Sequence, residues 1–374
     1  MQRLVDDGLE VVGPKVEGGA VVLGAVRDPD DLPVGVTTEQ DAGRYRLLPR
    51  DGTDEGAGGG AGGAGDGVVF AHGAPAHHWK RYLYPPNELL SRMRRQADGF
   101  AVDSDAPPSA RRYALFGVRP CDLNALRVLD AAIGAKGAAD VRYVARREKS
   151  IVIAVNCTRS VATCFCASMG TGPRGKAGYD LVMTELEGGE DGPRFVVASG
   201  SPRGAALLDG LPHQPASADD LAAEATAIEG AATSQTRRMV PDVAALLGRN
   251  LEHRQWAQVA ERCLACANCT LVCPTCFCAT IEETTDLAGT TAERRRTWDS
   301  CFTSDFSYIH GGSIRRSGAA RYRQWMTHKL SSWWQQFEMS GCVGCGRCIA
   351  WCPVGIDITE EARTIRDSEG GSDR

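Results

Sequence analysis

The sequence predicts an α/β domain, with α+β as the alternative, followed by an all-α domain. Three observations support this prediction. Short β-branched apolar runs alternate with helical patterns over about the first 200 residues, a stretch rich in Ala, Gly, Ser and Pro follows, and apolar residues beyond it recur at helical spacing. We therefore expect domains at residues 1–205 and 241–366, a helical linker region at 206–240 and a disordered tail at 367–374.

Five short apolar runs in the amino-terminal part are predicted to be strands. They are Val68–Phe70, Tyr113–Val118, Ile151–Val155, Leu181–Leu186 and Phe195–Ala198. The clearest helical pattern lies at 87–97, where Asn87 can cap a helix and Leu89, Met93 and Ala97 repeat every four residues. The run Gly56–Gly67 is almost entirely Gly and Ala, so we predict a flexible surface loop there.

Helical patterns dominate the rest of the chain. An Ala-rich helix is predicted over about 218–229, within the linker region. One apolar stripe then runs over Val243–Val259 and leads into a cysteine motif, and a second runs over Tyr322–Phe337. Gly341, which follows the second stripe, suits the left-handed end of a helix.

Composition and charge exclude several classes of protein. The net charge of −5 argues against nucleic acid as the main partner, because such proteins usually carry a basic excess. No apolar run approaches the roughly 18 residues of a membrane span. Asp6, Asp7 and Glu10 stand where a signal peptide needs cationic and then apolar residues. We therefore expect a cytoplasmic protein with neither nucleic acid nor membrane as a partner.

Clustered cysteines in the cytoplasm usually serve metal or redox chemistry, and the 15 cysteines of this chain cannot all pair as disulfides. Eight of them form two copies of the motif C-x-x-C-x-x-C-x-x-x-C-P, beginning at Cys263 and Cys342. In bacterial ferredoxins this motif gives three thiolates to one [4Fe-4S] cluster and the fourth to the other cluster. The pattern predicts that iron is held in cluster 1 by Cys263, Cys266, Cys269 and Cys352, and in cluster 2 by Cys342, Cys345, Cys348 and Cys273.

Structural zinc is the alternative for these eight cysteines, although it normally uses two separated C-x-x-C pairs. The long segment between the two copies is too large for a compact ferredoxin core and carries helical patterns. We therefore predict the alpha-helical ferredoxin-like form of the two-cluster domain.

The remaining seven cysteines fall into two groups. Cys121 and Cys157 follow two predicted strands, so both should emerge at one edge of a parallel sheet, with Cys164 and Cys166 one loop further on. These four residues match the ligand count of a third cluster, and buried structural cysteines or a zinc site are the alternatives. Cys276, Cys278 and Cys301 are predicted to be packing residues beside cluster 1, with a ligand swap or a partial extra site as the alternative.

Several longer motifs, in this order, resemble those of the beta subunit of soluble sulfhydrogenases, a family of 4Fe-4S dicluster proteins that is itself similar to the corresponding iron-sulfur subunit of anaerobic sulfite reductase. They are Gly117–Asp122, Cys164–Pro173, Trp298–Phe302, Arg321–Lys329 and Gly341–Cys348. The resemblance covers nearly the whole chain, with Gly56–Gly67 as a local insertion. It implies the same eight cysteine ligands and places the other four in family motifs.

The resemblance implies an electron carrier with no catalytic residues of its own. Its expected partners are a flavin subunit that binds NAD(P)H and either the small subunit of a hydrogenase or a sulfite-reducing subunit. The iron-sulfur subunit of an anaerobic sulfite reductase is one alternative function, and a stand-alone iron-sulfur or thiol redox enzyme is another. A zinc-stabilised interaction module is a third.

Overall fold

The computed structural model describes residues 1–50, 67–103, 111–135, 137, 139–189 and 192–369. The loop predicted at Gly56–Gly67 lies outside the described residues, apart from Gly67 itself. None of the described helices has both the length and the apolar character that crossing a membrane requires.

The first part of the chain contains both helices and strands. In chain order they are α1 (Gln2–Asp6), β1 (Glu10–Glu17), β2 (Ala20–Ala25), β3 (Val36–Asp41), β4 (Arg44–Pro49), α2 (Lys80–Leu83), β5 (Asn87–Gln96), β6 (Gly99–Asp103), β7 (Tyr113–Val118), α3 (Pro120–Ile133), α4 (Val141–Lys149), β8 (Ile151–Val155), β9 (Leu181–Gly189), β10 (Gly192–Ser199), α5 (Pro202–Asp209) and α6 (Ala218–Thr233).

The second part is mainly helical. Its elements are α7 (Val243–Arg249), α8 (Gln255–Arg262), α9 (Asn268–Leu271), β11 (Ala279–Thr285), β12 (Thr291–Trp298), β13 (Tyr308–Ile309), β14 (Gly312–Ser313), α10 (Gly318–Thr327), α11 (Trp333–Phe337), α12 (Arg347–Ala350) and α13 (Ile358–Asp367). A π-helical segment, His328–Ser332, joins α10 to α11.

A six-stranded sheet forms the centre of the amino-terminal part. Its strand order is β10-β9-β8-β7-β1-β2, with β1, β7, β8 and β9 parallel and antiparallel strands at both edges. Every residue of β8 is buried, as expected for a central strand with packing on both faces. Leu123, Leu126 and Leu129 of α3 pack in the core on one face of the sheet. The mixed α/β character predicted from the sequence is therefore present.

Four of the five predicted strands are present, but Val68–Phe70 is not a strand. The backbone N–H groups of Val69 and Phe70 instead donate to the two carboxylate oxygens of Glu185, each at 2.7 Å. A side chain thus takes the place of a neighbouring strand, which a pattern of apolar residues does not reveal.

The helix predicted at 87–97 is wrong, because this segment forms strand β5. It pairs with β6 and β12, and β12 pairs with β11, so the four form a second sheet in the order β11-β12-β5-β6. Leu89 and Met93 lie four residues apart, a spacing that a strand of period two satisfies as well as a helix does. Pairing with β12, about 200 residues away in the sequence, decides the outcome.

The same sheet corrects the prediction of an all-α carboxy-terminal domain, since β11 and β12 lie between the two cysteine motifs. Thr284 and Thr285 end the first of these strands, and Thr291 begins the second. β-branched residues on both sides of a turn are typical of a hairpin. Apart from the short pair β13 and β14, the remaining elements of this part are helices around one core, which includes Leu246, Val259, Met326, Ile349 and Ile365.

The two predicted helical stripes are present, the first as α7 and α8 and the second as α10, the π-helical segment and α11. The second stripe ends at Glu338, whose φ of 55° is left-handed, and not at Gly341. Of the tail predicted to be disordered, Asp367 ends α13 and Glu369 pairs with Arg249. Residues 370–374 lie outside the described residues.

Candidate iron-sulfur sites

Twelve cysteines line three cavities, which we name sites 1, 2 and 3. Site 1 contains the predicted cluster 1 set of Cys263, Cys266, Cys269 and Cys352. Site 2 contains the predicted cluster 2 set of Cys342, Cys345, Cys348 and Cys273. Site 3 contains Cys121, Cys157, Cys164 and Cys166. The fold thus brings together each of the three sets that the sequence singles out.

The two ferredoxin-type motifs adopt the same backbone conformation. In the first motif Ala265 and Ala267 have φ values of 49° and 65°, and in the second the equivalent Gly344 and Gly346 have φ values of 64° and 75°. A short helix follows each left-handed pair, α9 in the first motif and α12 in the second. The two left-handed residues of each motif turn the chain around the cavity, so that three cysteines of one motif face the same space.

Two backbone amides donate hydrogen bonds to cysteine sulfurs. The N–H of Ala265 donates to Cys263 Sγ at 3.4 Å, and the N–H of Ile356 donates to Cys352 Sγ at 3.3 Å. Hydrogen bonds to ligand sulfurs are among the features that set the potential of an iron-sulfur cluster. Both bonds lie at site 1.

The glycines of the second motif are required by packing as well as by conformation. A Cβ at Gly344 would lie 2.7 Å from the backbone of Cys166, and one at Gly346 would lie 2.3 Å from the carbonyl oxygen of Thr163. The first motif has alanines at the two equivalent positions. The second motif is therefore packed directly against the loop of site 3.

Site 3 lies at the carboxyl edge of the six-stranded sheet. Cys121 is in the first turn of α3, just after β7, and Cys157 lies two residues beyond the end of β8. Adjacent parallel strands bring their ends to the same edge, as the sequence predicted for this pair. Cys164 and Cys166 come from the following loop, whose Phe165 N–H donates to the carbonyl of Gly344 at 3.0 Å.

The three cavities are of similar size, with volumes of about 30, 20 and 20 Å³ for sites 1, 2 and 3. Site 3 therefore matches site 2 in volume and in the number of thiols of its predicted set. No group of three or more His, Cys, Asp or Glu side chains among the described residues is arranged to hold a single metal ion.

Burial makes several free thiols of these sites poor acids, whereas a hydrogen bond with Cys276 and the charge of Lys329 hold the pKa of Cys273 well below its usual value. Burial raises the pKa of Cys164 and that of Cys342 to about 12, and raises the pKa of Cys269 further still. Binding to a metal reverses this preference, because a coordinating thiol is deprotonated outright. Metal binding at these sites would therefore release protons from the buried thiols whose pKa is raised.

Buried cations and donors face the sulfurs of site 3. Arg119, only 2% exposed, directs Nη1 toward Cys157 Sγ at 3.7 Å and donates through Nη2 to the carbonyls of Phe70 and His72. Gln235 donates to Cys166 Sγ at 3.3 Å. The Nε of Arg119 and the Nε2 of His72 are buried without a hydrogen-bond partner in the described part of the chain. Such orphaned polar atoms in a cavity wall fit a site that holds a polar or anionic group.

Site 2 has a buried cation of its own, Lys329. Its ammonium donates to Cys273 Sγ at 3.3 Å. Burial lowers the pKa of Lys329, but thiolates at Cys273, Cys276 and Cys342 outweigh that effect and raise the pKa well above its usual value. This lysine ends the family motif Arg321–Lys329 noted in the sequence, and it lies three residues after Met326, so it falls on the apolar stripe of its helix.

Consecutive sites share a wall. Cys348 and Trp325 line both site 1 and site 2, and Cys345 lines both site 2 and site 3. The three sites therefore follow one another in the order 1, 2, 3. Site 1 reaches the surface, since Cys266 is exposed and the neighbouring Leu264 is 64% exposed.

The last three cysteines lie beside the sites. Cys276 contacts Cys273, and Cys278 contacts Cys301, whose thiol hydrogen bond lowers the pKa of Cys278 to about 7. Cys276 and Cys301 are partly buried against the helical core. Cys276 therefore lies beside site 2 and not beside site 1 as predicted, and the packing role of the three cysteines stays a prediction.

Comparisons with known proteins agree with the motifs. A family model described as a 4Fe-4S dicluster domain matches residues 262–356. Sulfhydrogenase 2 subunit beta of Pyrococcus furiosus is 27% identical over 292 residues, which cover 77% of this chain and 82% of that protein. No solved structure shows significant similarity to the chain. The resemblance predicted from the sequence is confirmed: the chain is an electron-transfer iron-sulfur protein with a dicluster domain, similar to the beta subunit of sulfhydrogenases.

Proposed function

We propose that this 4Fe-4S protein relays single electrons between a flavin subunit that binds NAD(P)H and a hydrogenase subunit. In this proposal [4Fe-4S] clusters occupy sites 1 and 2 and a third cluster occupies site 3. The observation that carries the proposal is the row of three cavities, each of which contains one of the three four-cysteine sets and shares a cysteine with the next cavity. A bound cluster supplies one-electron chemistry, and a series of adjacent clusters supplies a path.

The residues of the chain have three tasks in this proposal, and the first is to hold the clusters. The ligand sets are the three groups of four cysteines already described for sites 1, 2 and 3. The crossing of Cys352 into site 1 and of Cys273 into site 2 ties the two motifs together, since neither site is complete without both.

The second task is to exclude water from the path. Phe302, Tyr322 and Trp325 are each at most 4% exposed and pack with their ring centroids 5.4 to 6.1 Å apart. All three line site 1, and Trp325 also lines site 2. The wall between these two sites is therefore aromatic and dry, which strengthens every electrostatic effect on a cluster beside it.

The third task is to compensate the charge of the clusters. Lys329 at site 2 and Arg119 at site 3 are buried, and neither forms an ion pair with a carboxylate within the described ranges. A buried cation without a nearby negative charge is costly. The carboxylate of Glu185 interacts with Arg119 from beyond ion-pair distance, and no described carboxylate pairs with Lys329, so both cations favour further negative charge beside them. Thiolate-ligated clusters at sites 2 and 3 supply that charge, which supports both placements.

Partner subunits are part of the proposal because the relative is, by its name, one subunit of a sulfhydrogenase. The exposed edge of site 1, around Cys266, Leu264 and Val354, offers a place where an electron can enter or leave. A chain that carries electrons without transforming a substrate needs an exposed site for electron exchange and a series of buried sites that connect to it.

The proposal is tested with the anaerobically purified full chain. Mixed with NADH or NADPH alone, its clusters should stay oxidised, and addition of a flavin-containing NAD(P)H oxidoreductase subunit should bleach their visible absorbance. The variant Cys266→Ser, altered at the exposed edge, should slow that bleaching, and Cys301→Ser should serve as the matched control. Turnover of NAD(P)H or sulfite by the isolated chain would contradict a relay and favour a stand-alone enzyme.

A further inference from the structure

Lys329 is held in an unusual position for a lysine. Its side chain is buried, and its ammonium donates to Cys273 Sγ at 3.3 Å, to Thr275 Oγ1 at 2.7 Å and to the carbonyl of Gly341 at 3.1 Å. Thr275 in turn donates to the same carbonyl at 2.7 Å. The ammonium is thus fixed by three acceptors, and one of them is a proposed ligand of cluster 2.

The local backbone explains how the lysine reaches this place. Lys329 lies in the π-helical segment that joins α10 to α11. π-Helical turns inside α-helices are rare and occur frequently at functional sites. Leu330 remains fully buried in the helical core, and Lys329, one residue earlier, faces site 2.

The lysine also breaks the symmetry between the two clusters. Cys273 and Cys352 are the equivalent fourth cysteines of the two motifs. The sulfur of Cys352 accepts a hydrogen bond from the N–H of Ile356, and no lysine or arginine among the described residues donates to it. Site 2 therefore carries a full positive charge at a position where site 1 has only a backbone dipole.

We propose that Lys329, acting through the Cys273 sulfur, raises the reduction potential of the cluster at site 2 above that of the cluster at site 1. Reduction adds one negative charge to a cluster, and a fixed cation in a dry environment stabilises the added charge. The electron comes from the neighbouring cluster, which is oxidised as cluster 2 is reduced, while Lys329 keeps its proton. In a chain that carries a single electron, the cluster at site 2 is then the one that is reduced. This inference depends on the proposed cluster at site 2.

The test is a potentiometric titration of the reconstituted full chain, followed by electron paramagnetic resonance. In Lys329→Gln the ratio of reduced to oxidised cluster 2, at one applied potential, should fall at least tenfold, which corresponds to about 59 mV for one electron. Lys329→Arg, which keeps the charge, should stay within a factor of three of the wild type. Lys329→Met is a second uncharged variant, with an apolar side chain that a buried position accepts. It should shift the reduction potential of cluster 2 in the same direction as Lys329→Gln.

Two controls separate this effect from a structural one. The potential of cluster 1 in each variant is an internal reference and should move less than that of cluster 2. Ser331→Ala changes the same π-helical segment without a change of charge, because it removes only the hydrogen bond from Ser331 to the carbonyl of Ala244. It should leave both potentials unchanged.

The outcomes distinguish the two proposals. Absence of cluster 2 from the wild-type chain would overturn the proposed function. A cluster 2 that is present, and whose potential is the same in the wild type and the uncharged variants, would overturn the role of Lys329 alone. An equal shift in Lys329→Arg and Lys329→Gln would also overturn it, since charge would then not be the cause.

Discussion

A single buried residue, Arg119, shows how site 3 differs from a set of packed structural cysteines. Its guanidinium lies under the Phe70 ring, points at Cys157 and leaves its Nε without a partner among the residues the structure describes. Cysteines that serve only as small apolar residues do not need a buried cation beside them. The chemistry of this one residue therefore favours a cluster over packing.

Removal of one site 3 ligand should remove one cluster only. We expect Cys164→Ser to lower the iron content from about twelve to about eight atoms per chain, because each [4Fe-4S] cluster holds four. Iron analysis of the anaerobically purified variant is the measurement, with Cys301→Ser as the control that should keep all of its iron. An unchanged iron content in Cys164→Ser would refute a cluster on this set of cysteines.

The ion pair between Arg347 and Asp122 joins the two parts of the chain. Arg347 lies between Cys345 and Cys348, and its guanidinium donates to both carboxylate oxygens of Asp122, at 2.8 and 2.9 Å. Both side chains are only 1% exposed. Its Nε also donates to the carbonyl of Pro75 at 2.8 Å. The second motif is thus fastened to helix α3, which carries Cys121.

Breaking this pair should be costly. In Asp122→Asn the buried guanidinium loses its counter-charge, so the free energy of unfolding should fall by about 3–5 kcal/mol. Chemical denaturation of the full chain under anaerobic conditions measures it. Arg249→Gln, which removes an exposed pair with Glu369, is the control and should have little effect. Equal effects of the two variants would show that the buried pair does not hold the parts together.

Sequence alone indicates the eight motif cysteines because they follow one another at short, regular intervals. It leaves site 3 undecided, since Cys121, Cys157 and the Cys164/Cys166 pair come from three segments that only the sheet brings together. Lys329 could have been suspected from its place on an apolar stripe. Arg119 could not, because its importance depends on the cavity beside it.

The loop of the second motif is the element through which sites 2 and 3 touch. Gly344→Ala would place a methyl group 2.7 Å from the backbone of Cys166, at a residue whose φ of 64° already disfavours a side chain. We expect the variant to lose the cluster at site 3 and to weaken the cluster at site 2, while site 1 is kept. Iron content and the paramagnetic spectrum measure this.

Gly178→Ala is the control for backbone strain alone. Its φ is 89°, but a Cβ there would meet no atom within 4 Å. It should keep all of its iron. Equal loss of iron in both variants would mean that strain, and not the contact between the two loops, is responsible.

A buried charge cluster anchors the second sheet to the first domain. Glu88 of β5 is 7% exposed and pairs with Arg146 of α4 and with Arg296 of β12. Arg142 of α4 lies 3.6 Å from the same carboxylate, and Arg296 also pairs with Asp140. Three guanidinium groups thus surround one buried acid, whose negative charge stabilises all of them.

Glu88→Gln should loosen this sheet without loss of iron. Amide hydrogen exchange of β5 and β12 should accelerate at least tenfold, because the buried arginines lose the charge of Glu88, while exchange in β8 should stay as in the wild type. Glu283→Gln removes the exposed pair with Arg294 and is the control. Uniform acceleration over the whole chain would contradict a local role for Glu88.

The second sheet, β11-β12-β5-β6, shows why some elements were not predicted from the sequence. The pattern at 87–97 satisfies a helix and a strand equally, and the strand is chosen by partners that lie far away in the sequence. By contrast, β7 and β8 were predictable because a continuous apolar run that is buried on both faces carries its own signal. Local patterns identify elements whose residues favour one structure, and they fail where the same pattern fits two structures.

At the scale of the whole molecule, the fold places three four-cysteine sites in one row that joins the helical part to the edge of the central sheet. The site 1 end is exposed at Cys266, and the middle of the row is buried. A chain with this plan is suited to conduct electrons between partners. The central claim is therefore that three clusters occupy the row.

Metal and sulfide content of the anaerobically purified full chain tests that claim most directly. We expect about twelve iron atoms and about twelve acid-labile sulfides per chain, with no stoichiometric zinc. About eight of each would contradict the cluster at site 3. Zinc in place of iron, in a colourless protein, would contradict the relay as a whole.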